Sequence, residues 1–84
     1  MAPEKLEVKI LSEEGSLFTG PCRALFVPSK KGEIAILPFH TPLIAMLSKG
    51  VVRVLVGGQL KEVDTVESGI VHVVKNKVVV LANL

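Results

Sequence analysis

The chain has 84 residues, of which 49% are hydrophobic, ten are basic and eight are acidic, for a net charge of +2. This length allows one domain with a modest core. No run approaches the ~20 apolar residues of a membrane-spanning helix, and the N-terminus lacks the apolar segment of a secretory signal. The near-balanced charge argues against an electrostatic nucleic-acid binder. A single cysteine is typical of a reducing compartment.

The first part of the chain alternates short apolar runs with turn signals, which is typical of β-strands. In LEVKI (6–10) every second residue is apolar, which predicts a strand with one buried face. LFVP (25–28) and EIAIL (33–37) are nearly continuous apolar runs, typical of strands covered on both faces or packed in a tight sandwich. A proline removes a ladder hydrogen bond, so each of four prolines is expected at a strand end or a sheet edge. They are Pro21, Pro28, Pro38 and Pro42.

The stretch TPLIAMLSK (41–49) is ambiguous. Thr41 is a suitable N-cap and Pro42 a suitable first helical residue, so one or two helical turns are possible. Its short length and the flanking strands favour a strand equally well. Both assignments stay open at this point.

The second part of the chain is again strand-like. VVRVLV (51–56) gathers alternate valines on one face and turns Arg53 away, while QLKEVDTV (59–66) is polar and predicts an edge strand. IVHVV (70–74) and VVVL (78–81) are further apolar runs. Many short strands at about eight-residue spacing indicate an all-β sandwich or barrel.

Groups suited to catalysis are scarce. Cys22 and His40 are a conceivable nucleophile–base pair, but their spacing does not bring them together, and a lone cysteine is more often a small buried side chain. With His72 as the only other histidine, a zinc site lacks ligands. His72 shares a predicted face with Ile70 and Val74 and is expected at a sheet margin. We therefore expect no catalytic residue, cofactor or metal.

The segment Pro-Phe-His-Thr-Pro (38–42) is chemically unusual. Two prolines fix the backbone on either side of an aromatic ring and an imidazole. Side chains fixed in this way often serve recognition, because preorganised contacts lose less entropy on binding. The alternative is a rigid corner with Phe39 tucked into the core, and the sequence supports both equally.

An ordered set of motifs covers nearly the whole chain. They are the opening strand LEVKI, a Phe-x-Gly turn (18–20), a Pro-x-x-x-Gly-Glu loop (28–33), a Leu-Pro-x-His-x-Pro-Leu corner (37–43), the Ser-Gly segment (68–73) and the closing strand VVVLANL (78–84). This set resembles the N-terminal β-sandwich of the epsilon subunit of bacterial and chloroplast rotary ATP synthases, called delta in mitochondria.

The resemblance implies a two-sheet β-sandwich of about ten short, mostly antiparallel strands. It also implies a non-catalytic rotor subunit that clamps the gamma subunit to the polar loops of the c-ring in a proton- or sodium-driven synthase. Such a subunit is peripheral at the cytoplasmic face of the inner membrane, without inserting into it. Motif positions imply two partner sides: Ser12, Phe39, His40, Thr41 and Pro42 towards gamma, and Lys30, Lys31, Gly32 and Glu33 towards the c-ring.

Two departures from the family pattern carry expectations. The corner of the family usually reads Pro-Gly-His, and Phe39 in place of glycine argues against a positive φ at that position. The chain stops at Leu84, after the last predicted strand, where most bacterial members continue into a helical hairpin. We therefore expect one domain over residues 1–84, with no C-terminal helical domain and no ATP bound through it. Exposed contact surfaces could also make the isolated domain self-associate.

Other functional classes remain as alternatives. A small lipoyl- or biotinyl-type carrier is also a flattened β-sandwich, and Lys75 or Lys77 would be its modified residue. A generic interaction module would pair a partner strand with residues 59–66. An enzyme built on Cys22 and His40 has the least support.

Overall fold

The computed structural model describes residues 5–84, which form nine β-strands. The strands are β1 (Leu6–Ser12), β2 (Gly15–Cys22), β3 (Ala24–Ser29), β4 (Gly32–Ile36), β5 (Leu43–Leu47), β6 (Gly50–Val56), β7 (Gln59–Val66), β8 (Ser68–Val74) and β9 (Lys77–Asn83). Within this described part of the chain, no helix is long and apolar enough to cross a membrane.

The strands form one continuous sheet that folds over into two layers. One layer has the order β2-β1-β9-β8-β5, and the other contains β4, β3, β6 and β7. The layers join where β3 meets β5, through a single pairing of Ser29 with Leu47. β1 and β9 run parallel, and the other paired strands run antiparallel. The predicted all-β sandwich is confirmed, with nine strands.

The core lies between the two layers and consists of aliphatic side chains. Alternation along β1 buries Leu6, Val8 and Ile10 and leaves Glu7 and Lys9 exposed, as the sequence predicts. The largest fully buried side chains also include Leu25, Val27, Ile36, Val52, Val54, Val66, Val71, Val73 and Val78. No polar or charged residue is buried among residues 5–84. The burial of apolar area, at about 25 cal/mol per Å², therefore dominates the stabilisation of this sandwich.

The nearly continuous apolar runs prove to be strands with only one covered face. Along β9, Val78 and Val80 are buried whereas Val79 and Leu81 are 36% and 51% exposed. Of the two interpretations that the sequence allowed, the structure therefore shows the sandwich and not strands covered on both sides. In a two-layer fold each sheet has only one inner face, so the apolar outward residues of β5, β8 and β9 remain at the surface.

The ambiguous stretch 41–49 contains strand β5 and no helical turn, because β5 pairs along its whole length with β8. Polar β7 is the terminal strand of its layer, which confirms its predicted edge position. Pro21 lies in the other terminal strand, β2, while Pro38 and Pro42 lie between strands. Pro28 is the penultimate residue of β3, so the prolines occupy edges or strand ends.

Candidate partner-binding surface

The outward face of the five-stranded layer carries apolar side chains on four adjacent strands, β1, β9, β8 and β5. Its seven apolar side chains lie on β1, β5, β8 and β9, and we call this set the apolar face. They are Leu11, Ile44, Met46, Ile70, Val74, Val79 and Leu81. Contiguous exposed apolar surface of this kind marks interaction sites in otherwise water-exposed proteins.

Strand register explains why these side chains meet. Met46 pairs with Ile70, Ile70 with Leu81 and Leu81 with Leu11, which places four apolar side chains in one row across the layer. Ile44 begins the neighbouring row. Ile44 and Met46 are 67% and 68% exposed. Covering one such side chain contributes about 1.5–3 kcal/mol, so several together could anchor a partner.

His72 lies within this face. It pairs with Ile44 on one side and with Val79 on the other, and its side chain is exposed. The prediction that it shares a face with Ile70 and Val74 is confirmed by the alternating burial of β8. The expected sheet margin is wrong, because β8 is an inner strand of the layer, between β5 and β9.

The corner at 38–42 occupies one end of the apolar face, beside the β8–β9 turn. Phe39 is 68% exposed, so the interpretation that buries its ring in the core is wrong. Its φ of 66° is positive, which also corrects the expectation drawn from the missing glycine. The tight turn requires this conformation, and two hydrogen bonds hold it. The Phe39 N–H donates to Asn76 Oδ1 at 2.6 Å, and the His40 N–H donates to the Leu37 carbonyl at 3.1 Å.

The hairpin that carries Lys30, Lys31, Gly32 and Glu33 is braced by side-chain hydrogen bonds and an ion pair. Ser29 Oγ accepts a hydrogen bond from the Lys31 N–H at 3.2 Å and donates one to the Gly32 carbonyl at 2.6 Å. Glu33 Oε2 lies 2.7 Å from Arg53 Nη2 on β6, an ion pair that ties the hairpin to the neighbouring strand. With Glu33 paired, the exposed tip presents the two lysine charges to solvent.

The first hairpin of the chain repeats this construction with opposite charge. Ser12 Oγ accepts from the Glu14 N–H at 3.1 Å and donates to the Gly15 carbonyl at 3.3 Å. The two turns therefore share a Ser-x-x-Gly spacing, with two glutamates in one and two lysines in the other. Sequence reasoning missed this pair, although the repeated spacing was visible.

The structure places Ser12 apart from the corner. Ser12 pairs with Ala82, Ala82 with Gly69, Gly69 with Leu47 and Leu47 with Ser29, a row that crosses five strands. Ser12 and the lysine hairpin therefore lie at the same end of the sandwich. The corner lies at the other end, about six residues or roughly 20 Å away along the strands. The apolar face extends between Ser12 and the corner.

Cys22 and His40 do not form a reactive pair. Cys22 is 1% exposed, and burial, with a smaller contribution from the charge of Glu7, raises the pKa of its thiol to about 11. His40 Nδ1 lies 2.7 Å from the carbonyl oxygen of Thr41. In residues 5–84 no three histidine, cysteine, aspartate or glutamate side chains are grouped so that they could hold a metal.

The raised pKa of Cys22 gives a stability prediction. Its reference pKa is 9.0, so the unfolded chain loses the thiol proton at lower pH than the folded chain. Above pH 9 this difference destabilises the fold, progressively until about pH 11. Urea unfolding from pH 7.5 to 10.5 should therefore show that the destabilisation caused by Cys22→Ala is constant below pH 9 and shrinks above it. A constant difference throughout would contradict the raised pKa.

Comparisons with known proteins agree with this architecture. The family model described as "ATP synthase, Delta/Epsilon chain, beta-sandwich domain" matches residues 5–84. The chain is 37% identical over 83 residues to the ATP synthase epsilon chain of Leptospira interrogans, covering 99% of this chain and 65% of the relative. It is 35% identical over 80 residues to the epsilon chain of Neisseria meningitidis, covering 94% of this chain and 57% of the relative. It thus spans less than two thirds of these relatives.

Two solved structures share the fold. One is a chain of the Euglena gracilis mitochondrial ATP synthase, with a TM-score of 0.87 and 19% identity, covering 98% of this chain and 52% of that one. The other belongs to the central stalk and c-ring structure of the Tetrahymena thermophila mitochondrial ATP synthase, with a TM-score of 0.79 and 13% identity, covering 100% of this chain and 67% of that one. Because the family model covers residues 5–84, the chain belongs to the delta/epsilon-chain β-sandwich family of ATP synthases.

Proposed function

We propose that this sandwich is a non-catalytic part of the rotor of a proton- or sodium-driven ATP synthase. In this role it clamps the gamma subunit to the c-ring, so that ring rotation reaches the catalytic head. The observation that carries the proposal is the apolar face of a chain that belongs to the delta/epsilon family. The domain is not proposed to make or break a covalent bond.

The gamma subunit is the proposed partner of the apolar face. This face joins the positions that the family pattern assigns to gamma, with Ser12 at one end and Phe39, His40, Thr41 and Pro42 at the other. An apolar sheet face with polar side chains around it has the composition of a stable interface, with an apolar centre and a polar rim. Both exposed ends and the face between them can thus contribute to one contact.

The polar loops of the c-ring are the proposed partner of the lysine hairpin, residues 30–33. Its serine-built turn and the Glu33–Arg53 ion pair fix its shape before binding. Exposed charges set orientation and association rate more than affinity. The sandwich would then be peripheral at the cytoplasmic face of the inner membrane, held there by protein contacts.

Calorimetric titration tests the proposal. The domain is titrated into purified gamma subunit from the same organism, alone and within the catalytic subcomplex. We expect saturable one-to-one binding that weakens at least tenfold when Phe39 and His40 are both replaced by alanine. Absence of binding by a domain shown to be folded would contradict the rotor assignment.

Charge reversal at Glu33 separates the two proposed partners. The side chains of Glu33 and Arg53 are 45% and 37% exposed, so their ion pair contributes little stability, at most about 1 kcal/mol. Glu33→Lys should therefore leave folding and gamma affinity nearly unchanged while lowering ion-driven ATP synthesis in reconstituted enzyme. Glu33→Gln, which keeps the shape, is the milder control. If both variants synthesise ATP at the unsubstituted rate, the hairpin does not form the proposed contact with the c-ring.

No observation favours the alternatives over this role. Lys75 lies in the β8–β9 turn and Lys77 begins β9, but the family that matches the chain is not a carrier family. Intact mass after incubation with a lipoyl or biotinyl ligase would reveal a modified lysine. Strand β7 is an exposed edge, and its selective protection by a partner would instead favour the interaction-module alternative.

A further inference from the structure

Asn76 joins three segments that are distant in the sequence. It lies in the two-residue turn between β8 and β9, where Lys75 and Asn76 have φ of 50° and 64°. Its backbone carbonyl accepts the Glu7 N–H at 2.8 Å, and its side-chain Oδ1 accepts the Phe39 N–H at 2.6 Å. The start of β1, the β8–β9 turn and the corner therefore meet at this one residue.

The hydrogen bond to Phe39 supports a costly conformation. A residue with a side chain resists the left-handed region, which only glycine and, less readily, asparagine adopt routinely. Phe39 nevertheless has a φ of 66° and is 68% exposed, so its ring gains little from packing within this chain. Strain of this kind persists only where surrounding contacts impose it. The Asn76 side chain provides such a contact.

The turn by itself does not require the asparagine amide. A two-residue turn with both φ values positive accepts glycine at either position. What asparagine adds over glycine is the Oδ1 acceptor, and that atom bonds to the corner, 37 residues away in the chain. The side chain thus has a use beyond closing the β8–β9 hairpin.

We infer that Asn76 is a positioning residue for partner binding: its Oδ1 holds the corner so that the exposed Phe39 ring can enter an apolar pocket of the partner. This inference rests on the proposed function, in which the corner contacts gamma. Preorganisation lowers the entropy lost when a loop is ordered on binding. An aromatic anchor with few rotatable bonds is the side chain that benefits most, because its position decides whether it fits the pocket.

Two substitutions at Asn76 test the inference. Asn76→Gly keeps the turn conformation and removes the acceptor, whereas Asn76→Asp keeps an oxygen acceptor at the same place. We expect Asn76→Gly to speed hydrogen exchange of the Phe39 amide at least tenfold and to weaken binding to gamma five- to thirtyfold. Asn76→Asp should stay within threefold of the unsubstituted chain in both measurements. Global unfolding by urea, measured in parallel, separates positioning from lost stability.

The outcomes distinguish this inference from the proposed function. If Asn76→Gly speeds exchange at Phe39 but binds gamma normally, or leaves that exchange unchanged, the positioning role is wrong. If Phe39→Ala binds gamma as well as the unsubstituted chain, the corner is not in the interface. The proposed assignment of the corner to the gamma contact is then wrong. Should the glycine variant be unstable, Asn76→Ser withdraws the acceptor with a shorter side chain, and normal gamma affinity in that variant would equally overturn the inference.

Discussion

Replacing Ile44 by glutamate is expected to abolish binding of the gamma subunit while leaving the sandwich folded. Ile44 is 67% exposed on β5, the strand that borders the apolar face, so the substitution removes little packing within the chain. Under a partner the same position would be buried, and an unpaired carboxylate there loses its hydration. We expect affinity to fall at least 100-fold, measured by calorimetry.

A matched control distinguishes this face from exposed apolar surface in general. Leu60 is 53% exposed on β7, the edge strand of the other layer. Leu60→Glu makes the same chemical change, and we expect gamma affinity to stay within threefold. Equal losses in both variants would mean that the apolar face is not the specific contact.

Replacing Gly69 by alanine is expected to destabilise the sandwich more than any surface change. A Cβ at this position would lie 2.5 Å from the Leu81 carbonyl oxygen and 3.3 Å from Leu47 Cδ1. Gly69 pairs with both β5 and β9, so neither neighbour can withdraw without disrupting a ladder. Overpacking of this kind costs about 3 kcal/mol, which would lower the melting temperature by roughly 12–24 °C.

The neighbouring serine provides the control for Gly69→Ala. Ser68→Ala removes only the exposed hydrogen bond from Asn83 Nδ2 to Ser68 Oγ, of 2.9 Å, so about 1 kcal/mol or less is expected. Thermal unfolding followed by circular dichroism compares the two variants. Equal melting temperatures would show that β8 and β9 can move apart to make room for the added Cβ, and would contradict the predicted overpacking.

Local patterns predicted most of the fold because strand alternation reports directly on which side chains face a core. β1 follows its pattern residue by residue, and polar β7 lies at the edge that its charges indicate. The stretch at 41–49 was ambiguous because its helical signals are local, whereas its pairing with β8 is a tertiary contact. Long-range pairing decided the structure there.

The candidate surface was harder to predict. An apolar run such as VVVL shows that both faces of a strand avoid charge, but it does not reveal whether the second face is covered by the same chain. The positive φ of Phe39 is accompanied by a hydrogen bond to Asn76, a contact 37 residues away that no local pattern contains. The family positions for partner contact gave residues at both ends of the face, whereas the face between them emerged only from strand register.

Oxidation of Met46 by hydrogen peroxide, with and without gamma, tests the central claim most directly. Met46 is 68% exposed in the apolar face, so its oxidation rate reports whether that face is covered, and no substitution is needed. We expect gamma to slow sulfoxide formation at Met46 at least tenfold by peptide mass spectrometry. In a Leu60→Met variant, the methionine on β7 should oxidise equally fast with and without gamma. Undiminished oxidation of Met46 in a saturated complex would contradict the proposal that this face binds gamma.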